Sequence, residues 1–171
     1  MITVFPYAKV NGNWSVPDSY IKSIFQKTLQ DGSVRKLFWD GRVQTEDQFL
    51  EYFQDPKNLP ILIFKDQKLE AYFWLNSIGR NFAFVHYCFF SNSWGGDKKD
   101  MFESAISYWF NFMYGEKPLF DVLVGMVPSF NKHAINLIKE FGFTKIGEIP
   151  NMIDDIYLGK KFPVTIAYRG R

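Results

Sequence analysis

The stretch from Phe82 to Gly147 constrains the fold of this chain more than any other. It reads as an apolar strand (Phe82–Phe90), a loop of small residues (Ser91–Asp97) and a long helix. A second apolar strand (Phe120–Val127), a short helix (Lys132–Glu140) closed by Gly142, and a strand opened by Phe143 follow. The long helix is marked by Met101, Phe102, Ala105, Ile106, Trp109, Phe112 and Met113, which recur at three- and four-residue intervals. Two strands joined by a crossover helix lie parallel, with a right-handed connection. A ligand site in such a sheet lies at the carboxyl ends of its strands. That place is taken here by Ser91-Asn92-Ser93-Trp94-Gly95-Gly96, leading into a helix N-terminus whose free N–H groups can bind a phosphate or pyrophosphate.

The first half supplies helices and then a meander. Tyr20, Ile21, Ile24, Phe25 and Leu29 keep helical spacing between Pro17-Asp18 and Asp31-Gly32, and a second helical piece runs through Val34, Leu37 and Phe38 to Gly41. Thr45 with Gln48 three residues on reads as a capping box, and Asp55-Pro56 ends the helix it opens. Three strands, Pro60–Phe64, Leu69–Leu75 and Phe82–Phe90, are close enough in sequence to pair antiparallel. Strands at Phe143–Ile149 and Val164–Tyr168 complete the sheet.

Composition excludes several function classes. Residues 1–171 fit one domain with a real hydrophobic core, and 19 Phe, 9 Tyr and 5 Trp fill it with large rings. A formal net charge of +2, with only a modest basic tail at Lys160, Lys161, Arg169 and Arg171, falls short of a nucleic-acid footprint. A lone Cys88 and two histidines, His86 and His133, offer no disulfide and no legible metal cluster. No apolar stretch approaches the roughly 20 residues that cross a bilayer, and the N-terminus lacks a secretory pattern, so a cytoplasmic location without membrane contact is expected.

The run Asn131-x-x-Ala134-x-x-Leu137-x-x-x-x-Gly142-Phe143-x-x-x-Gly147, directly after Val127-Pro128, resembles the corresponding block of the GNAT N-acetyltransferase superfamily, in a divergent form. The resemblance implies an α/β (α+β) fold, the GNAT-like acyl-CoA N-acyltransferase arrangement. Its mixed central sheet has about six to seven strands, includes a splayed parallel pair, and is flanked by helices. It implies acetyl-CoA as cosubstrate, an amine acceptor, and a monomer or homodimer. The backbone near Phe89, Phe90 and Ser91 would take the pantetheine arm like another strand. The pyrophosphate would lie on the backbone of Trp94, Gly95, Gly96, Asp97 and Lys98, and Asn131 would lie near the thioester. Two residues depart from the family pattern. Asp97 puts negative charge where an anion arrives, which Lys98 and Lys99 can offset. Ile138 stands where many members carry a tyrosine that protonates the leaving thiolate.

Candidate catalytic residues are His86, Glu70 and Asn131. His86 lies mid-strand, sharing a face with Phe84, Cys88 and Phe90, while Val85, Tyr87 and Phe89 face the other way. It reads as a general base, with an ascending limb of the pH–rate profile near pH 6–7, or as a histidine packed between sheet and helix. Glu70 reads as a group that orients water, or as a polar residue on an exposed strand face. Asn131 is an N-cap and, by the resemblance, a partner of cofactor or bound water. Tyr87 and Tyr108 are candidate proton donors near the cleft. Asp154-Asp155 either draws a cationic amine or sits in a solvated loop. The function expected is transfer of an acetyl group from acetyl-CoA to a primary amine. The competing reading is a GNAT-like binding or structural module that has lost its chemistry.

Overall fold

The computed structural model describes residues 1–91 and 97–171. Strand β1 (Ile2–Pro6) and a small hairpin, β2 (Lys9–Val10) with β3 (Asn13–Trp14), precede helices α1 (Asp18–Gln30), α2 (Val34–Leu37) and α3 (Glu46–Gln54). The meander β4 (Leu59–Lys65), β5 (Lys68–Asn76) and β6 (Phe82–Phe89) follows. Then come helix α4 (Lys98–Phe110), a second small hairpin of β7 (Met113–Tyr114) and β8 (Lys117–Pro118), and strand β9 (Val122–Pro128). Helix α5 (Lys132–Glu140) and the long hairpin β10 (Thr144–Asp155) and β11 (Lys160–Gly170) complete the order.

Among the described residues, seven strands form one mixed sheet in the order β1-β4-β5-β6-β9-β11-β10. Every neighbouring pair is antiparallel except β6 and β9, which are parallel as the crossover through α4 requires. The mixed α/β sheet with helices on its faces is the fold expected from the sequence. Strand β1 was not: Ile2 to Pro6 alternates half-buried and exposed side chains along the edge of β4, too short a pattern to stand out on its own. Helix α4 stops at Phe110, and the exposed Phe112, just after it, and Met113, the first residue of β7, lie outside its apolar stripe.

Two cores sandwich the sheet. On one face Leu62, Tyr72, Trp74, Cys88 and Phe90 meet Ile21, Ile24, Phe25, Phe38, Phe49 and Phe53 of the first three helices. On the other, Ile61, Ile63, Phe73, Leu75 and Val85 meet Met101, Phe102, Ile106 and Trp109 of α4, with Leu137 and Phe141 of α5. Burying each such ring or branched chain stabilises the fold by about 1.5–3 kcal/mol. The period-two alternation of β6 is thus split between two helical layers, and both faces of the meander are dry. Thr45 and Gln48 form the expected capping box at the start of α3. No helix among the described residues is long and apolar enough to cross a membrane.

Candidate active site

The central feature is a gap between β6 and β9. Their ladder holds Phe82 against Val122, Ala83 against Leu123 and Phe84 against Val124, and then ends. Both strands continue, β6 to Phe89 and β9 to Pro128. Each is held on its far side, β6 by β5 as far as Phe89 and β9 by β11 as far as Pro128. The two therefore diverge as a wedge toward their carboxyl ends. Phe90 N–H bonds the Glu70 carbonyl on β5 at 3.1 Å. By the alternation of an antiparallel ladder, Val85, Tyr87 and Phe89 turn their backbone groups the other way, into the gap.

A cavity of about 150 Å³ fills the wedge, roughly five water volumes. Its walls are the diverging strand ends (Val85–Phe89 and Gly125–Pro128), Ser33, Lys36, Leu37 and Trp39 around α2, and Asn131, His133, Ala134, Leu137, Ile138 and Phe141 at α5. It thus passes through the sheet from one helical layer to the other. A second cavity of about 140 Å³ adjoins it on the α2–α3 side, bordered by Trp39, Asp40, Arg42, Tyr52, Trp74, Asn76 and His86. His86 borders both.

The protonation of His86 follows from its neighbours. The ring stacks on Trp74 at 4.7 Å, and Nε2 lies 3.0 Å from Asn76 Oδ1. The Asn76 amide nitrogen is already donated to the Tyr52 hydroxyl at 3.0 Å, so its oxygen must accept. His86 therefore carries its hydrogen on Nε2 and keeps the Nδ1 lone pair. Burial, then the positive charge of Arg42, lowers its pKa to about 4. That moves the expected ascending limb from pH 6–7 down to near pH 4, because the imidazole stays neutral through the ordinary range.

Asn131 is the N-cap of α5: its Oδ1 accepts the Ala134 N–H at 3.3 Å, at the border of the cavity. Phe89 borders the cavity, and the Lys98 ammonium lies 5.9 Å from its ring centre. His133 is exposed in the first turn of α5. Burial, then Lys98 and Lys36, pushes its pKa down, which places two cations from different layers near one mouth. Burial of the Lys98 ammonium likewise lowers its pKa, with Glu140 opposing.

Other candidates lie elsewhere. Phe90 is fully buried beneath α1, with Lys27 Nζ 3.9 Å from its ring centre. Ser91 donates its N–H and hydroxyl to Asp31, at 2.8 and 2.5 Å. Glu70 is buried rather than exposed, pairs with Lys68 at 2.8 Å, and borders neither cavity. Asp97 precedes α4 and is paired with Lys65, which supplies a countercharge not visible in the local sequence. Trp94, Gly95 and Gly96 lie outside the described residues. Cys88 is buried, and desolvation pushes its thiol up to about 12 against a hydrogen bond with Tyr72, which leaves it protonated and a poor nucleophile. Asp154 is exposed. Asp155 is not in a solvated loop: it is fully buried, and Arg35 bonds it at 2.6 Å. Burial pushes its pKa up, but Arg35 and the N–H groups of Leu158 and Tyr157 more than reverse this, leaving it below the usual value. Sequence reasoning missed Ser33, Lys36 and Trp39, because a four-residue helix such as α2 shows less than two turns of periodicity.

No family model and no curated protein sequence matches the chain. Solved structures do. It is similar to an acetyltransferase from Salmonella typhimurium that modifies the N-terminal serine of a 50S ribosomal subunit protein. That match has 12% identity and a TM-score of 0.77, over 99% of this chain and 95% of the other. It is similar to spermidine N-acetyltransferase from Vibrio cholerae, in complex with CoA and spermine, at 16% identity and a TM-score of 0.70, covering 98% and 95%. The microcin self-immunity acetyltransferase MccE, in complex with acetyl-CoA and AMP, matches at 16% identity and 0.72, covering 99% and 92%. At such identities the likeness is one of fold: the chain has the fold of the GNAT acetyltransferases.

Proposed function

We propose that the protein transfers an acetyl group from acetyl-CoA to a primary amine by direct attack of the amine on the thioester. The carrying observation is the wedge between β6 and β9, where three paired residues give way to unpaired backbone at Val85, Tyr87 and Phe89. Such an edge suits the amides of a pantetheine arm, which take the place of a strand. One of its N–H groups can also meet the negative charge that develops on the acyl oxygen. In this reading Trp94, Gly95, Gly96, Asp97 and Lys98 hold the pyrophosphate at the start of α4, and Asn131 borders the thioester. The cations Lys36 and Lys98 near the mouth suit the negative cosubstrate.

The amine enters from the second cavity. His86 Nδ1 takes its proton as the C–N bond forms, when the nitrogen becomes far more acidic than a free ammonium; a weak neutral base is sufficient for that. Glu70, held by Lys68 outside both cavities, is left to structure. The same reading makes residues 1–171 one catalytic domain, acting in the cytoplasm as monomer or homodimer. A second reading, a binding module without catalysis, draws on Ile138 lining the cavity where a proton donor would be useful. Calorimetry with acetyl-CoA, followed by thiol release with a panel of amines, separates the two. Binding with turnover supports the enzyme, binding alone the module, and no binding removes both.

A further inference from the structure

The second cavity is walled by hydrogen-bond acceptors that are already used and by a donor that is not. Among the described residues that border it, Asp40 is the one acid. Both of its oxygens go to a single neighbour. Oδ1 accepts the Arg42 backbone N–H at 3.2 Å, and Oδ2 lies 2.5 Å from both Nε and Nη2 of the Arg42 guanidinium. The Tyr52 oxygen receives hydrogens from Trp74 Nε1 at 3.2 Å and from Asn76 Nδ2 at 3.0 Å. The Asn76 oxygen receives the hydrogen of His86 Nε2. These acceptors are all engaged from within the wall. Ser77 adds a hydroxyl, which can serve as donor or acceptor.

Arg42 is the opposite case. A guanidinium carries five N–H bonds in a planar fork. Asp40 covers the Nε–Nη2 edge, leaving hydrogens on the rest of the fork beside Tyr52. The side chain is 56% exposed, so it is open to a ligand. At the His86 ring its positive charge outweighs the negative charge of Asp40, so the pair turns its cationic side toward the ring. Trp39, Trp74, Phe84 and Met126 make the remaining wall apolar and largely aromatic. An amine in this cavity therefore meets one spare base, His86 Nδ1, and one spare cation. A second ammonium group would find no free carboxylate and would face a guanidinium. A carboxylate matches the fork in both charge and shape.

We propose that the acceptor is an amine with a carboxylate a few bonds from its nitrogen, an α-amino acid with an apolar side chain, and that Arg42 holds the carboxylate. This rests on the acetyl-transfer reading above and names the acceptor class within it. The cavity has about 140 Å³, nearly five water volumes, so nitrogen and carboxylate must lie close together in the molecule. With the nitrogen at His86 and the carboxylate at Arg42, the side chain rests on the aromatic wall. Asp40 is then a positioning residue: its grip on one edge of the guanidinium directs the other edge at the ligand.

The test is thiol release from acetyl-CoA with phenylalanine, phenylalanine amide, phenethylamine and spermidine. Phenylalanine should exceed phenethylamine and spermidine in kcat/KM by about tenfold or more, chiefly through KM, with the amide between. Calorimetry of phenylalanine and phenethylamine with the CoA-bound protein should give the same order. Arg42→Gln should bring phenylalanine and phenethylamine to within about twofold of each other. Arg42→Lys keeps the charge without the fork and should restore only part of the preference. A wild type for which the amide, phenethylamine or spermidine equals or beats phenylalanine overturns the assignment. So does a preference for phenylalanine that survives in Arg42→Gln, or acetyl-CoA binding without thiol release to phenylalanine. Absence of acetyl-CoA binding fails the acetyl-transfer reading itself, which separates the two failures.

Discussion

The Nε2 hydrogen of His86 is given to the side-chain oxygen of Asn76, 3.0 Å away, and that single bond fixes which nitrogen of the ring is left to act. The pH behaviour of the protein follows from the ring's surroundings, burial first and then the positive charge of Arg42. In the folded chain His86 ionises near pH 4, against about 6.5 in an unfolded one. The unfolded state therefore binds the proton first. The associated stability is fully present above about pH 6.5 and is lost as pH falls toward 4, by roughly 3 kcal/mol. Melting curves from pH 7 to 4 should show this loss, and His86→Gln should lack that part of it.

The same bond offers a way to move the activity profile. Asn76→Asp places a carboxylate against Nε2 and favours the imidazolium, so the pKa of His86 should rise by about 1–2 units. The ascending limb should shift upward with it, and a profile that stays near pH 4 in this variant would remove His86 as the controlling base.

Lys36→Glu reverses one of the two charges near the mouth of the gap. Acetyl-CoA affinity should fall about 3–10-fold, with the difference shrinking at high salt. Titration calorimetry at two ionic strengths reads both effects, and the melting temperature should barely move, since Lys36 is exposed.

Gly41 adopts a φ of +72°, and a Cβ there would collide with Ile156 Cδ1. Ile156 also donates its N–H to the Trp39 carbonyl at 3.2 Å, so the tip of the β10–β11 hairpin rests on the segment between α2 and α3. Gly41→Ala should destabilise the protein by about 1–2 kcal/mol, most of it backbone strain, because the Ile156 methyl can turn aside.

Asp155→Ala removes the partner of Arg35 and the acceptor of the Tyr157 and Leu158 N–H groups. A loss of about 2–3 kcal/mol is expected in denaturant unfolding, the cost of leaving those donors unmet beneath the hairpin.

The elements legible in the sequence are those whose signal is local. Thr45 and Gln48 are three residues apart and cap α3 as read. The alternation of β6 sorts Cys88 and Phe90 from Val85 and Tyr87 onto opposite faces, as the period of two dictates. The strand–helix–strand order from Phe82 to Val127 foretold the parallel pair, while its splay was expected only from the resemblance. What was illegible joins distant segments. Lys65 neutralises Asp97 from the end of β4, and Arg35 reaches Asp155 across most of the chain. Such pairs leave no periodicity behind, and so the electrostatics of the site had to await the fold.

Most sheets keep their unpaired edge at the border, where any passing strand can add to it. The three rungs joining Phe82–Phe84 to Val122–Val124 move one such edge to the interior. Below the opening, Arg169 of β11 clamps Glu103 of α4 through two bonds of 2.8 Å and also holds the Phe141 carbonyl, so the closed end stays closed. Above it, α2 and α5 wall the slot on both faces. A bordering edge is promiscuous, but a walled one gauges thickness. In the acetyl-transfer reading proposed above, such a wall favours a thread of amides stripped of side chains over a polypeptide strand, so selection by cross-section comes before any side chain takes part.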